Sequence, residues 1–543
     1  MLDGVPTDAT ATSAHPENQP ENQPENQPEQ HAGSGGTAGD GGGATRYPLS
    51  AYGITDGAAE GTPLGVGLDQ LAEADPDAPA LTCGDVVLSR AELARRSNRL
   101  ARHLARLGVG PGSLLTIGLP NGLEFYVAAV AAWKLGAIPQ PVSARLPASE
   151  LAALLTVADP PVVVGLEPSD GRPWLPRGFE PDPAISDEPL PPSIPPSWKA
   201  PTSGGSTGRP KIILAGGAGT VETVTARCDA LRIGPDEVFL VTAPLYHNAP
   251  FMFSLIALVR GGHVVVMERF DAADVLARVR RHRVSWLYAV PTLMGRMLRL
   301  PAEVRAAADL SSVRTLLHVG APCPEHVKRG WLAWVEPHTI LELYAGTESI
   351  AVCMIDGDDW LVHPGSVGRP TSGELRITDD EFNEVGVGEV GEVWQRPPAG
   401  VRTYRYLGAT AHARDGWQTI GDMGRVDADG YLYLSDRRQD MILVGGANVY
   451  PAEVEAALEE HPRVLSSAVI GLPDEDLGNT VHAIVQTEGT ADDPVTDEQL
   501  TEHMRRKLAP YKIPASFERS AEPLRDDAGK VRRTALRTAR LRS

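Results

Sequence analysis

Between about residue 90 and residue 290, helical spacing of apolar side chains alternates with short apolar runs that end in turn residues, and this alternation most constrains the fold. Leu93, Leu100, Leu104 and Leu107 share one helical face, and Gly108–Gly112 ends that pattern. Leu114–Leu119 follows as a strand, Glu124–Leu135 as a helix, Leu151–Val157 as a helix and Pro161–Gly165 as a strand. Further on, Ala272–His282 reads as a helix, and Val284–Val290 as a strand stopped by Pro291. Switching repeatedly between periods of 3.6 and 2 predicts an α/β architecture whose sheet is largely parallel, because helices between strands serve as crossovers.

The regularity breaks at three places. Pro181–Pro196 is too rich in proline for either period and is expected to be an extended surface connection. From Gly373 to Trp394 the spacing shortens, with Glu374–Thr378 and Glu392–Trp394 as strands, which predicts a β-rich section after the α/β body. The last hundred residues carry their own helices, Pro451–His461 and Asp497–Leu508, and strands at Ser467–Ile470 and His482–Gln486, as a small α+β domain would. With 543 residues there is enough chain for several such units. Residues 1 to about 45 differ from all of these: Glu-Asn-Gln-Pro units closing at Pro20, Pro24 and Pro28 run into a Gly/Ala/Ser stretch. With almost no apolar side chains to bury, this tail is expected to be disordered.

Charge and cysteine usage exclude several function classes. Fifty Lys and Arg against 70 Asp and Glu leave a net charge of −20, which disfavours nucleic acid and anionic membranes as partners. Cys83, Cys228, Cys323 and Cys353 form no C-x-x-C pair, so neither a zinc cluster nor a disulfide framework is expected. The apolar stretch Val238–Val259 holds Pro244, His247, Asn248 and Pro250, which argues against a membrane span. The first thirty residues lack a basic start and an apolar core of the secretory kind, and the expected location is the cytoplasm.

The most informative segment is Thr202-Ser-Gly-Gly-Ser-Thr-Gly-Arg-Pro-Lys211. Gly204, Gly205 and Gly208 allow close backbone approach; Ser203, Ser206 and Thr207 add hydroxyls, as does Thr202; Lys211 adds a cation. Backbone amides, hydroxyls and one ammonium make a cradle for a polyphosphate. The spacing is not that of a P-loop NTPase, since Arg209 and Pro210 separate the last glycine from Lys211 and Ile212 follows it. A G-x-G-x-x-G dinucleotide fingerprint is also missing from this segment.

This loop resembles the phosphate loop of the adenylate-forming superfamily, which includes acyl-CoA synthetases, peptide-synthetase adenylation domains and firefly luciferase. Further segments follow in that family's order. Pro244-Leu-Tyr-His247 resembles the segment between acyl pocket and ATP site, and Gly320-Ala321-Pro322 the small-residue stretch against the adenine. Tyr344-Ala-Gly-Thr347-Glu348 resembles the family's Tyr-Gly-x-Thr-Glu, with Ala345 in place of the common glycine. By that resemblance Tyr344 flanks adenine, Thr347 binds the α-phosphate and Glu348 holds Mg²⁺. Asp422 would accept the ribose hydroxyls, and Arg437 would make the second ribose contact. Gln439 falls at the hinge, where Asp or Lys is more usual. Gly445 and Gly446 would line the pantetheine tunnel, and Lys530, in Asp526-Asp-Ala-Gly-Lys530, would be the lysine of adenylation.

The resemblance covers roughly residues 50–535 and looks most like bacterial bile-acid and fatty-acid type CoA ligases. It implies a tail (1–45), an N-terminal adenylation domain of packed α/β subdomains plus a β-rich section (46–438), and a small mobile α+β C-terminal domain (439–543). The implied reaction activates a carboxylic acid with ATP and Mg²⁺, releasing pyrophosphate, then transfers the acyl group to CoA, releasing AMP. His247, Thr347 and Lys530 would be the catalytic residues. The alternative keeps adenylation but changes the acceptor to a carrier-protein thiol or an amine, or activates nitrite for diazotisation. No family-typical Asp for an α-amino group follows His247, which disfavours an amino-acid substrate.

Overall fold

A computed structural model describes residues 60–204, 210–488, 495–526 and 529–541. The expected tail lies outside these residues, as do Gly205, Ser206, Thr207 and Gly208 of the loop.

The largest sheet has nine strands. Its six central members, Ile340–Tyr344, Thr315–His318, Trp286–Ala289, Val238–Val241, His263–Val266 and Pro79–Cys83, run parallel. Antiparallel strands close both edges: Val352–Asp356 and Arg369–Ser372 on one side, Val86–Ser89 on the other. The central strands are apolar and buried along their length, as expected where helices cover both faces. A second parallel sheet orders Ile138–Pro141, Leu114–Ile117, Val163–Val164 and Trp174–Leu175. One continuous core joins the two through the helix Leu123–Lys134, whose Phe125, Tyr126 and Trp133 are fully buried.

Local chemistry explains several boundaries. The helix Arg90–Arg106 starts at a capping box, Ser89 Oγ accepting from the Glu92 amide while Glu92 reaches back to the Ser89 amide. Pro291 opens the helix Pro291–Leu298 instead of merely ending a strand, which suits a residue with no N–H to offer. The proline-rich passage has no regular structure, but it is pinned. Arg99 donates to Ile185 O and pairs with Asp187, and Arg102 donates to the Glu188 and Pro189 carbonyls.

Four smaller sheets complete the described residues, all antiparallel except that Gly478–Thr487 and Ser516–Arg519 pair in parallel; the smallest is the hairpin of Ile442–Val444 and Ala447–Val449. Thr202–Gly204 and Pro210–Ala215 form a hairpin that Tyr404–Leu407 joins. The β-rich section pairs Glu374–Thr378, Gly391–Arg396, Trp417–Val426, His412–Arg414 and Leu432–Arg437. The C-terminal sheet of Val464–Asp474, Gly478–Thr487 and Ser516–Arg519 has its own core of Val454, Leu458, Val469, Val485 and Leu500. Among the described residues no helix is long and apolar enough to cross a membrane.

Candidate active site

Ligands of open α/β sheets bind beyond the carboxyl ends of parallel strands. Here those ends deliver Gly320–Pro322 just after Thr315–His318, Tyr344 at the end of Ile340–Tyr344, and Pro244–His247 after Val238–Val241. Parallel register sets His318 opposite Glu342, so the small-residue stretch and Tyr344 leave the sheet side by side. Gly320 has φ +94°, a backbone state that a side chain would strain.

Two clusters form above this edge. In the first, Tyr344 donates its hydroxyl to Asp422 Oδ2 at 2.7 Å, and Arg437 Nε lies 3.4 Å from Asp422 Oδ1. Asp422 faces Arg437 because Trp417–Val426 pairs with Leu432–Arg437 in that register. Burial raises the Asp422 pKa, opposed by Arg437 and the Tyr344 hydroxyl. In the second cluster, Glu348 Oε1 accepts from Tyr406 at 2.5 Å and lies 3.3 Å from Lys211 Nζ. The Lys211 ammonium also lies over the Tyr406 ring, 4.6 Å from its centre. These residues meet because Tyr404–Leu407 pairs with the strand that carries Lys211, Tyr406 opposite Ile213. Thr347 sits in the turn between the clusters, beside half-buried Gly346.

Lys530 comes from the other end of the chain. Its amide donates to Asp526 Oδ1 at 2.9 Å, and the Asp526 amide returns a bond to the Lys530 carbonyl at 2.9 Å. Lys530 keeps exposed surface, yet the crowded cleft lowers its pKa, Arg437 adds to that, and Asp526 and Glu348 oppose it. His247 lies in the same field: burial pushes its pKa down to about 4, Asp526 opposes, and Lys530 and Arg532 reinforce. The neutral ring keeps its buried Nε2 without a hydrogen bond among the described residues. Gly529, at φ +75°, passes so close to Thr292 that an added Cβ would come within 2.6 Å of its Oγ1. Together with the bond from Arg299 to Leu465 O at 3.0 Å, this contact seats the C-terminal domain against the α/β body.

Other expected site residues fall elsewhere. Thr202 lies in the hairpin opposite Ile212, with Gln140 Nε2 at 3.4 Å from its Oγ1; Ser203 and Gly204 extend that strand to the undescribed loop. Gly445 and Gly446, with φ +54° and +86°, form the exposed turn of the Ile442–Val444 and Ala447–Val449 hairpin. The Gly445 amide bonds Leu477 O, and among the described residues this turn touches none of the cleft side chains named above. Exposed Gln439 lies between two anchors: Arg438 bonds Glu392 and Asp380, whereas Asp440 pairs with Arg533.

Sequence reading missed Tyr406 and Gln395. Fully buried Gln395 donates to the Tyr344 hydroxyl at 3.3 Å and accepts from the Ala351 amide. Neither residue belongs to a recognisable local motif; only strand pairing brings them in.

A fold and cleft of this kind recur in known proteins. Residues 68–405 match the AMP-binding enzyme family, and residues 453–525 match the AMP-binding enzyme C-terminal domain. The chain belongs to the adenylate-forming, AMP-binding enzyme family. A feruloyl-CoA synthase of an Amycolatopsis species is 34% identical over 487 residues, 86% of this chain and 96% of that protein. The o-succinylbenzoate CoA synthetase of Bacillus subtilis, solved with its acyl-adenylate intermediate, superposes with a TM-score of 0.74 at 27% identity. That match covers 87% of this chain and 97% of the other. An amide bond synthetase from Marinactinospora thermotolerans superposes with a TM-score of 0.73 at 26% identity, covering 88% and 99%.

Proposed function

We propose that this protein is an AMP-forming acid–CoA ligase. One observation carries the reading: the close approach of Gly529 to Thr292 of the body brings Lys530, from the C-terminal domain, to the cleft that holds Glu348, Arg437 and His247. A lysine in that position suits the first half-reaction. The acid's carboxylate attacks the α-phosphorus of ATP and expels pyrophosphate, a step that crowds negative charges together. Positioning and electrostatic stabilisation therefore supply most of the catalysis. Lys530 holds the attacking carboxylate and the α-phosphate oxygen, and Thr347 donates to that phosphate. Asp422 accepts the ribose hydroxyls, with Arg437 beside it, while Tyr344 and Gly320-Ala321-Pro322 bracket the adenine. Lys211 and the loop from Thr202 to Gly208 hold the outer phosphates. Neutral His247 stands between ATP and acid and cannot repel Lys530.

The Glu348 carboxylate fits Mg²⁺, which takes one or two carboxylates with phosphate oxygens and water. Gly346 leaves space beside its Oε2, where an added Cβ would come within 2.9 Å. When bound, the ion neutralises phosphate charge. In the second half-reaction the CoA thiol attacks the acyl carbonyl and AMP leaves. For this the C-terminal domain turns about Gln439, withdrawing Lys530 and bringing in Gly445 and Gly446.

A second reading is favoured by the likeness to an amide bond synthetase: the same adenylate, with an amine, a carrier-protein thiol or nitrite as the other reactant. Release of AMP and pyrophosphate decides between them, with ATP, Mg²⁺ and a panel of aromatic, fatty and steroid acids plus nitrite. Each acid is run with and without CoA, and with and without an aryl amine. CoA-dependent AMP release with an organic acid is the expected result. Turnover that ignores CoA and needs the amine would move the protein to the second reading.

A further inference from the structure

Burying an ammonium group is costly unless a carboxylate accompanies it. Among the described residues, Lys134, Lys199 and Lys328 are at most 4% exposed. Lys134 bonds Asp69, and Lys328 bonds Glu342 at 2.8 Å. Lys199 has no carboxylate within ion-pairing distance among the described residues; its Nζ donates to Asn248 Oδ1 at 2.6 Å and lies 5.1 Å from the centre of the Trp198 ring. Burial pushes its pKa down to about 7, with Arg227 reinforcing and Glu348 opposing.

The bond to Lys199 decides how Asn248 points. Lys199 Nζ donates to Asn248 Oδ1, and in its protonated form it has only hydrogens to give, which holds the amide with its oxygen toward Lys199. The Nδ2 hydrogens therefore face the other way, on a residue that is only half-buried. Asn248 directly follows His247 in the chain, and His247 lies in the field of Lys530. Lys199 lies in the field of Glu348. Asn248 directly follows the segment that the parallel strand Val238–Val241 delivers at its carboxyl end, so the pair stands at the same edge of the sheet as His247.

We propose that Lys199 and Asn248 form a recognition pair for the acid, Lys199 holding the amide oxygen so that Asn248 Nδ2 donates to a hydrogen-bond acceptor on the acid beyond its reacting carboxylate. The substrate class this selects is an oxygenated or dicarboxylic acid, and the cation behind the amide favours an anionic acceptor over a neutral one. The inference rests on the adenylation reading. Asn248 acts on the ligand, and Lys199 is a positioning residue.

Pyrophosphate release tests it with matched pairs: cinnamate against 4-hydroxycinnamate, and octanoate against octanedioate. The readout is the ratio of kcat/KM within a pair, which a general loss of stability does not move. The wild type should prefer the acceptor-bearing member of at least one pair by about 10-fold or more, the order expected for a site built to hydrogen-bond its substrate. Asn248→Asp still satisfies Lys199 but turns an oxygen toward the acid, so the ratio should collapse to one or below. Lys199→Met frees the amide to rotate, and the ratio should fall part of the way. A wild-type ratio near one in both pairs would overturn the proposal. So would an unchanged ratio in Asn248→Asp, and an unchanged ratio in Lys199→Met would remove Lys199 from it. Failure of the wild type to release pyrophosphate with any acid would instead sink the adenylation reading, and this inference with it.

Discussion

Glu455 and Glu348 are buried to the same degree, 4% exposed each, yet their surroundings are built on opposite plans. Glu455 is saturated. Its Oε1 accepts from the Val469 amide at 2.8 Å and from Arg533 at 2.9 Å; its Oε2 accepts from Arg533 at 2.8 Å and Arg525 at 3.2 Å. Arg525 goes on to Glu459 and Arg533 to Asp440, so both guanidinium groups are shared between carboxylates. Among the described residues, Glu348 is held on one oxygen, by Tyr406 and by Lys211 at the long distance of 3.3 Å. A buried carboxylate with both oxygens occupied fixes a structure, while one with an oxygen to spare leaves valence for a ligand. Burial alone does not separate the two; the number of occupied oxygens does.

The sharpest break of that comparison is Glu455→Ala. It takes the shared carboxylate from two buried arginines and leaves each with one ion-pair partner among the described residues, Glu459 or Asp440; removing one partner of a buried pair costs about 3–5 kcal/mol, an upper bound here. Thermal unfolding followed with probes in each domain should show the C-terminal domain melting first. Coincident transitions at the wild-type temperature would refute the scaffolding role.

Lys530→Ala should act in the opposite manner, leaving the melting curve nearly unchanged. Pyrophosphate release should fall by about 10²–10³-fold, as when one charge-stabilising donor is lost. If Lys530 serves only the first half-reaction, a supplied acyl-adenylate should still be converted to thioester.

Tyr344→Phe should have a smaller effect, visible in pH dependence. The Tyr344 hydroxyl holds the raised Asp422 pKa down, so its removal raises that pKa further. The KM for ATP, which needs ionised Asp422, should begin to climb at a higher pH than in the wild type as acid is added. A wild-type onset would refute the coupling.

The mildest test is Tyr406→Phe, which removes the hydroxyl's bonds to Glu348 and Lys211 and keeps the ring beside the ammonium. An effect of about 1 kcal/mol on KM or kcat, near fivefold, is the expected scale. Titration with Mg²⁺ shows whether it falls on the ion.

The contrast also explains what was legible in the sequence. Alternating periods gave the parallel sheets, because each strand and each crossover helix is a local pattern. Glu348, Asp422 and Lys530 could be picked out because each lies within a short segment that resembles a family motif, in the family's order. Tyr406 could not, since it meets Glu348 across 58 residues and Lys211 across 195. Lys199 is likewise invisible until the fold brings it to Asn248, 49 residues away. The Pro181–Pro196 connection was rightly read as irregular, but only the structure reveals the arginines that tie it down. Pairing across a sheet edge leaves no periodic trace in either partner.

Gln439 stands between a residue clamped to the β-rich section and one clamped to the C-terminal domain. Two anchors that close leave few single bonds about which the domains can turn, so a large reorientation would be concentrated in the φ and ψ of one or two residues. Proline restricts one of those torsions to about −65°. Gln439→Pro should therefore act as a stop on a swivel: the domain keeps whichever half-reaction the fixed angle permits and surrenders the other, although no atom of the active site has been touched.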